Sequence, residues 1–238
     1  MNILALDTCF GACSVAAGRA STSGGGVLAH EFERRQTGHA EALMPMIERV
    51  MTQARFAFSD IDRIAVTTGP GSFTGMRIGI AAARALSLAT GAPVVGLPTL
   101  DVMAATARCD HKCLEGASAL PAVMMVAVDA RKDQVYVQVF GDLADQNRSA
   151  LLLSPTDAAR LVPQGGIALV GSGAAMVAKC IDPARAAVLV LFPDLQPNAT
   201  CLADMAYCAE LTAVPVRPNY LRPPDAKPQD GKSIPRVS

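Results

Sequence analysis

The sequence predicts a duplicated α/β fold: two tandem lobes, each of βββαβαβ order, with a cleft between them. Three observations carry this reading. Short apolar runs alternate with helical stretches along the chain, the same order of elements is met twice, and each pass alone is too small to bury both faces of a sheet generously. With 238 residues, 51% hydrophobic and 18% charged, the chain is long enough for a sizeable core and too apolar to be disordered.

The first pass opens with strands over Ile3 to Leu6 and Cys13 to Ala17 around a Thr8 to Ala12 turn. A third, Val27 to Phe32, follows the glycine-rich Ser21 to Gly26 stretch. Leu43, Ile47, Val50 and Ala54 then recur at helical spacing over His39 to Ala54, with Met44 and Met51 on a second stripe and Pro45 near the helix start. Ile61 to Thr68 reads as a strand, Gly69 to Gly75 as a turn and Met76 to Ala89 as a helix. Gly91 is its C-terminal cap before the strand Pro93 to Gly96.

A helical stretch at Leu100 to Ala107 leads into the second pass. Strands are expected at Val123 to Val128, Gln134 to Phe140 and Leu151 to Leu153. A helix from Ser154 to Leu161, a strand Ile167 to Val170, a helix Gly173 to Cys180 and a strand Val188 to Leu191 complete it, and Thr200 to Ala213 is one closing helix. This gives a first lobe over residues 1–100, a second over 101–222 that includes the closing helix, and a mobile Pro-rich tail over 223–238.

Lys+Arg 21 balance Asp+Glu 21, so no global charge draws the chain to nucleic acid. The longest charge-free run, Leu161 to Ala178, is broken by Pro163 and four glycines, so no membrane span is expected. The start, Ile3 to Leu6 and then Asp7, lacks the pattern of a secretory signal, and a cytoplasmic location is expected. The seven cysteines include no C-x-x-C pair and are expected to be small buried hydrophobes.

The most informative run is Gly69, Pro70, Gly71, Ser72, Phe73, Thr74, Gly75, Met76, Arg77, between a strand and a helix. Its glycines permit tight turning and close backbone approach, and the helix end behind them offers free N–H groups to an anion. Its spacing fits neither the dinucleotide fingerprint nor the P-loop. Ser72, Thr74 and Arg77 point to a polar contact surface, with a ligand-free structural turn as the competing reading. Asp7 and Asp129 each end the first strand of a lobe, so duplication sets them face to face across the cleft, around a hydrated metal or phosphate or merely as turn formers. Cys109, Asp110, His111 and Cys113 lack the fourth ligand and spacing of a zinc site, and no metal is expected. His39 and Glu41 read as first-turn helix residues, and G-x-S-x-G is absent.

At I-L-A-L-D-T with C-S-V-A, H-A-E-A-L-M-P-M-I, T-T-G-P-G-S-F-T-G-M-R-I-G, V-V-G-L-P-T-L-D, V-D-A-R-K-D-Q-V-Y and the late P-N-Y-L-R, the chain resembles the TsaB (YeaZ) family. Its members are partner subunits in the synthesis of threonylcarbamoyladenosine in tRNA. The resemblance implies the actin, hexokinase and heat-shock ATPase (ASKHA) superfold. It also implies a paralogous catalytic partner, TsaD, which transfers the threonylcarbamoyl group to the adenosine next to the anticodon. TsaD holds a metal with an H-x-E-G-H pair, where this chain has Thr99 to Met103, neither end a substitute for imidazole. ATP-binding relatives open their second lobe with a glycine-rich phosphate hairpin, where this chain has Asp129, Ala130, Arg131, Lys132, Asp133.

The implied function is a noncatalytic scaffold that binds TsaD and helps recruit the ATPase TsaE, touches tRNA only through the complex, and forms a homodimer when alone. Met44, Ile47 and Met51 on one helix and Ile80, Ala83 and Ser87 on the other are the expected partner surface. Expected nucleotide or ligand contacts are Asp7, Thr8, Gly69, Gly71, Ser72, Thr74, Gly75, Arg77, Asp129 and Arg131, with no cofactor bound by the chain alone and ATP or ADP at a subunit interface. The rival reading is a metal-dependent peptidase or small-molecule kinase working in the cleft with Asp7 and Asp129.

Overall fold

The computed structural model describes residues 1–19, 26–114, 119–141, 149–211 and 214–222. The expected tail, nearly all of the Ser21 to Gly26 stretch and the end of the closing helix therefore lie outside the described residues.

Strands β1 (Asn2–Asp7), β2 (Ala12–Arg19) and β3 (Gly26–Arg34) form an antiparallel meander, and helix α1 (His39–Ala54) leads to β4 (Arg63–Thr67). Helix α2 (Phe73–Thr90), β5 (Val94–Leu97) and α3 (Thr99–Lys112) complete the first pass. The second runs β6 (Val123–Asp129), β7 (Val135–Phe140), β8 (Leu151–Leu153), α4 (Pro155–Arg160), β9 (Gly165–Val170), α5 (Ala174–Ala178), β10 (Ala186–Leu191) and α6 (Ala199–Cys208). The first sheet is ordered β3-β2-β1-β4-β5 and the second β10-β9-β6-β7-β8, the same topology read from its other edge. In each lobe the first strand pairs antiparallel with the second and parallel with the fourth, as β1 does with β2 and β4 and β6 with β7 and β9. Among the described residues no helix is long and apolar enough to cross a membrane.

Alternation along β1 shows how the layers form. Leu4 and Leu6 face α1 and α2, packing with Leu43, Ile47, Val50 and Ile80. Ile3 and Ala5 face the other way, onto Ala199, Leu202, Ala203 and Ala206 of α6. Alanine at 5, 16 and 65 keeps that second face flat enough for a helix to lie close. In the second lobe Met125, Ala127, Ile167 and Leu169 pack on α4 and α5, while Met124, Val126 and Ala168 pack on Leu100, Met103, Ala104 and Ala107 of α3.

The lobes therefore exchange their last helices: α3 follows the first sheet in the chain but covers the second, and α6 follows the second but covers the first. A division at residue 100 that assigns the closing helix to the second lobe holds along the chain and not in space. The seven cysteines also divide: Cys9, Cys13 and Cys201 are buried as expected, whereas Cys109, Cys113, Cys180 and Cys208 are exposed.

Candidate functional site

A cleft of about 940 Å³ opens between the lobes, walled by Phe10 and His39 from the first, Tyr136 and Ser172 from the second, and Tyr220 and Arg222 from the last described segment. Among the sequence-predicted contacts, Gly71, Ser72, Thr74, Gly75, Asp129 and Arg131 reach its wall, and Asp7, Thr8, Gly69 and Arg77 do not.

The glycine-rich turn packs on its own chain. Ser72 caps α2, its Oγ accepting from the Gly75 N–H at 3.3 Å, while the Ser72 N–H donates to the Cys9 carbonyl at 2.6 Å. The Thr8 hydroxyl donates to the Gly75 carbonyl at 2.7 Å. A Cβ on Gly71 would stand 2.5 Å from the Cys9 carbonyl oxygen, and one on Gly75 would fall on that of Thr8. These glycines thus let the α2 start dock onto the β1–β2 turn, and the close approach expected of a phosphate is already taken by backbone.

Asp7 does not face Asp129. Asp7 is fully buried beneath the turn, whereas Asp129 is exposed at the cleft. Its Oδ1 accepts from the Thr67 hydroxyl at 2.5 Å and the Cys9 N–H at 3.3 Å, and Oδ2 has no hydrogen-bond partner among the described residues. Burial pushes its carboxyl up to about 7 against the lowering effect of those bonds, and pushes the adjacent Cys9 thiol up as well. Facing carboxylates around a hydrated metal are therefore not formed, and among the described residues no group of three or more His, Cys, Asp or Glu stands ready to hold a metal ion. Thr99 is buried with its Oγ1 accepting from the Gly69 N–H at 2.9 Å, and Met103 lies in the core.

The β6–β7 turn has its own chemistry. Arg131, Lys132 and Asp133 all take positive φ, 62°, 53° and 53°, although none is glycine. The Asp129 carboxylate holds the Arg131 N–H at 2.7 Å, and Arg222 donates to the carbonyls of Ala130 at 2.6 Å and Arg131 at 3.3 Å and to Gln134 Oε1. The turn thus offers carbonyl oxygens to a cation, the opposite polarity to a phosphate cradle.

That arginine ends a strap that crosses between the lobes. Val216 accepts from Arg84 at 2.6 Å, the Asn219 N–H donates to the Thr68 carbonyl at 2.7 Å, and the Tyr220 hydroxyl accepts from Arg77 at 2.8 Å. Arg77 lies 3.7 Å over the Phe73 ring, so its charge is spent on the strap rather than turned into the cleft. Sequence reasoning missed the strap's role, although P-N-Y-L-R was the motif that marked it.

The predicted partner residues also separate. Ile47, Met51, Ile80 and Ala83 are buried in the lobe's own core, Ser87 is half-buried with its hydroxyl on the Ala92 carbonyl at 2.6 Å, and Met44 is exposed. Met51 turns inward because α1 packs on α2 as well as on the sheet, which widens its buried face. The outward stripe of α2 is Ala81, Ala85 and Leu88, and Leu88 is 90% exposed. Its i, i+4, i+7 spacing was the signal that reasoning from Ile80 overlooked.

Fold and site define a two-lobed α/β protein with a repeated sheet topology and a cleft whose glycine-rich turn is closed on itself. The family model described as TsaD: tRNA N6-adenosine threonylcarbamoyltransferase matches residues 16–188. The tRNA threonylcarbamoyladenosine biosynthesis protein TsaB of Escherichia coli is 39% identical over 136 residues, 57% of this chain and 53% of that protein. The chain thus matches about half the length of this relative. A Mycobacterium tuberculosis protein is 30% identical over 230 residues, 95% of this chain and 94% of its own length. The solved structure of YeaZ from Pseudomonas aeruginosa superposes with a TM-score of 0.74 at 28% identity, covering 92% of this chain and 99% of that one. The chain belongs to this family, and within it to the TsaB (YeaZ) group.

Proposed function

We propose that the chain is a noncatalytic dimerisation subunit in tRNA threonylcarbamoyladenosine synthesis, with an ASKHA-type fold that pairs with a TsaD-type catalytic subunit and helps recruit TsaE. The observation that carries the reading is the closure of the glycine-rich turn by the chain's own Thr8 and Cys9 carbonyls. Support comes also from Thr99 and Met103, which are buried and structural at the positions that correspond to TsaD's histidines. The β6–β7 turn adds to it, because its carbonyls suit Arg222 rather than a phosphate. On this reading ATP or ADP, when present, sits at a subunit interface, tRNA is met through the complex, and the work is done in the cytoplasm.

The partner surface is the outward face of α1 and α2, with Met44, Ala81, Ala85 and Leu88 exposed along it. Small residues on α2 allow a partner helix to approach, and Met44 and Leu88 supply apolar anchors. When the chain is alone, the same face pairs two copies by two-fold symmetry. Calorimetric titration of TsaD into the chain tests the reading. Met44→Asp combined with Leu88→Asp is expected to weaken binding at least tenfold with the fold intact; unchanged affinity removes this face from the interface.

A further inference from the structure

Helices α3 and α6, the pair exchanged between the lobes, lie against each other and carry two thiols at their contact. The Asn198 N–H at the start of α6 donates to Thr106 Oγ1 on α3 at 3.3 Å, and one turn further along each helix stand Cys109 and Cys201. The Cys201 thiol shares hydrogen bonds with Cys109 and Thr106. Cys109 is exposed and Cys201 is buried, so one sulfur of the pair is open to solvent reagents and the other waits behind it. Val102, Thr106 and Cys109 form one stripe of α3, of which Val102 belongs to the core that α6 builds on the first sheet. The other face of α3, with Leu100, Met103, Ala104 and Ala107, belongs to the second lobe.

We propose that Cys109 and Cys201 form a reversible disulfide when the chain meets a peroxide, tying α3 to α6 and fixing the two lobes against each other. In the first step the exposed Cys109 thiolate attacks a peroxide oxygen, the O–O bond breaks, and Cys109 becomes a sulfenic acid as water leaves. In the second the Cys201 sulfur, losing its proton to solvent, attacks the Cys109 sulfur and expels hydroxide, so that two thiols and one hydrogen peroxide give one disulfide and two waters. Burial pushes the Cys201 thiol up to about 11, which makes the second step the slower one. A dithiol reductant reverses the bond by exchange. Nothing in this device depends on the proposed role in tRNA modification, and its test reads no transfer activity.

The experiment treats the reduced full chain with hydrogen peroxide, quenches, blocks free thiols and maps the peptides without reduction. A Cys109–Cys201 link is expected as the main intrachain disulfide, removed by dithiothreitol and absent in Cys109→Ser and Cys201→Ser, while Cys113→Ser still forms it. Cys109→Ser changes an exposed position, so it serves even if the buried Cys201→Ser fails to fold. Cys109 carried on to sulfinic acid with Cys201 still reduced, or paired with Cys113 instead, overturns the proposal. Hydrogen exchange supplies the second readout: amides of α3 and α6 are expected to exchange at least threefold more slowly in the oxidised chain and to recover on reduction. An oxidised chain with unchanged exchange overturns the lock.

Discussion

The carbonyl oxygen of Thr8 occupies the space that a Cβ on Gly75 would need, and the Thr8 hydroxyl donates to the Gly75 carbonyl at 2.7 Å. The start of α2 is thereby fastened to the end of β1. A motif that reads as a ligand loop is a joint between two elements of one lobe.

Gly75→Ala is therefore expected to act on stability. Displacing the helix start in a close-packed setting costs about 1–3 kcal/mol, read by urea unfolding. At Gly91 an added Cβ meets nothing within 4 Å, so Gly91→Ala carries only the strain of φ 79°, of order 1 kcal/mol. Equal effects at the two positions would contradict the joint.

Asp7 predicts a pH dependence. Its folded value, about 7, lies above the ordinary 3.8, so the folded state holds the proton more tightly than the unfolded chain does. Its contribution is most favourable below 3.8, declines as pH rises through the window up to about 7 and is level above it. The slope within the window is at most roughly 1.4 kcal/mol per pH unit. Asp7→Asn keeps the shape and removes the charge, so denaturation curves at pH 5, 6, 7 and 8 are expected to show the variant gaining on the parent between pH 5 and 7. A constant difference would mean that Asp7 does not titrate there.

Arg222→Ala removes the donors that hold the carbonyls of Ala130 and Arg131. With three successive residues at positive φ, that turn depends on its neighbours, and hydrogen bonds from a charged group are worth about 1.5–3 kcal/mol at most. The lower end of that range is expected for this half-buried residue, with faster amide exchange confined to residues 130–134. Unchanged exchange there would show that the strap does not hold the turn.

Met51→Asp and Met44→Asp are expected to part company. Met51 is 3% exposed and Met44 43%, so the first places an unpaired charge in the core and loses the cooperative transition, while the second unfolds at the parent's temperature. Thermal unfolding of both decides it, and equal midpoints would contradict the observed packing.

These contrasts show what was legible in the sequence. The bounds of α1 were readable as His39 to Ala54 because its apolar residues recur at one clear period, and Gly91 as a cap because few other residues take positive φ there. The order of strands was readable because both passes use the same short apolar runs. Which sheet α3 and α6 would cover was not, since periodicity marks an apolar face and not its partner. The Asp129 to Asp133 turn hid its left-handed backbone because none of its residues is glycine. Asp7 and Asp129 were set opposite each other by symmetry of topology, and depth beneath the glycine-rich turn separates them.

The central claim is that chemistry resides in a partner and this chain makes the partner competent. The direct test is threonylcarbamoyl transfer to substrate tRNA over multiple turnovers by purified TsaD, TsaE and the threonylcarbamoyl-adenylate synthase, with and without this chain. Transfer that depends on the chain, with none when TsaD is left out, is the result this account predicts. Transfer indifferent to the chain, or transfer by the chain without TsaD, would contradict it.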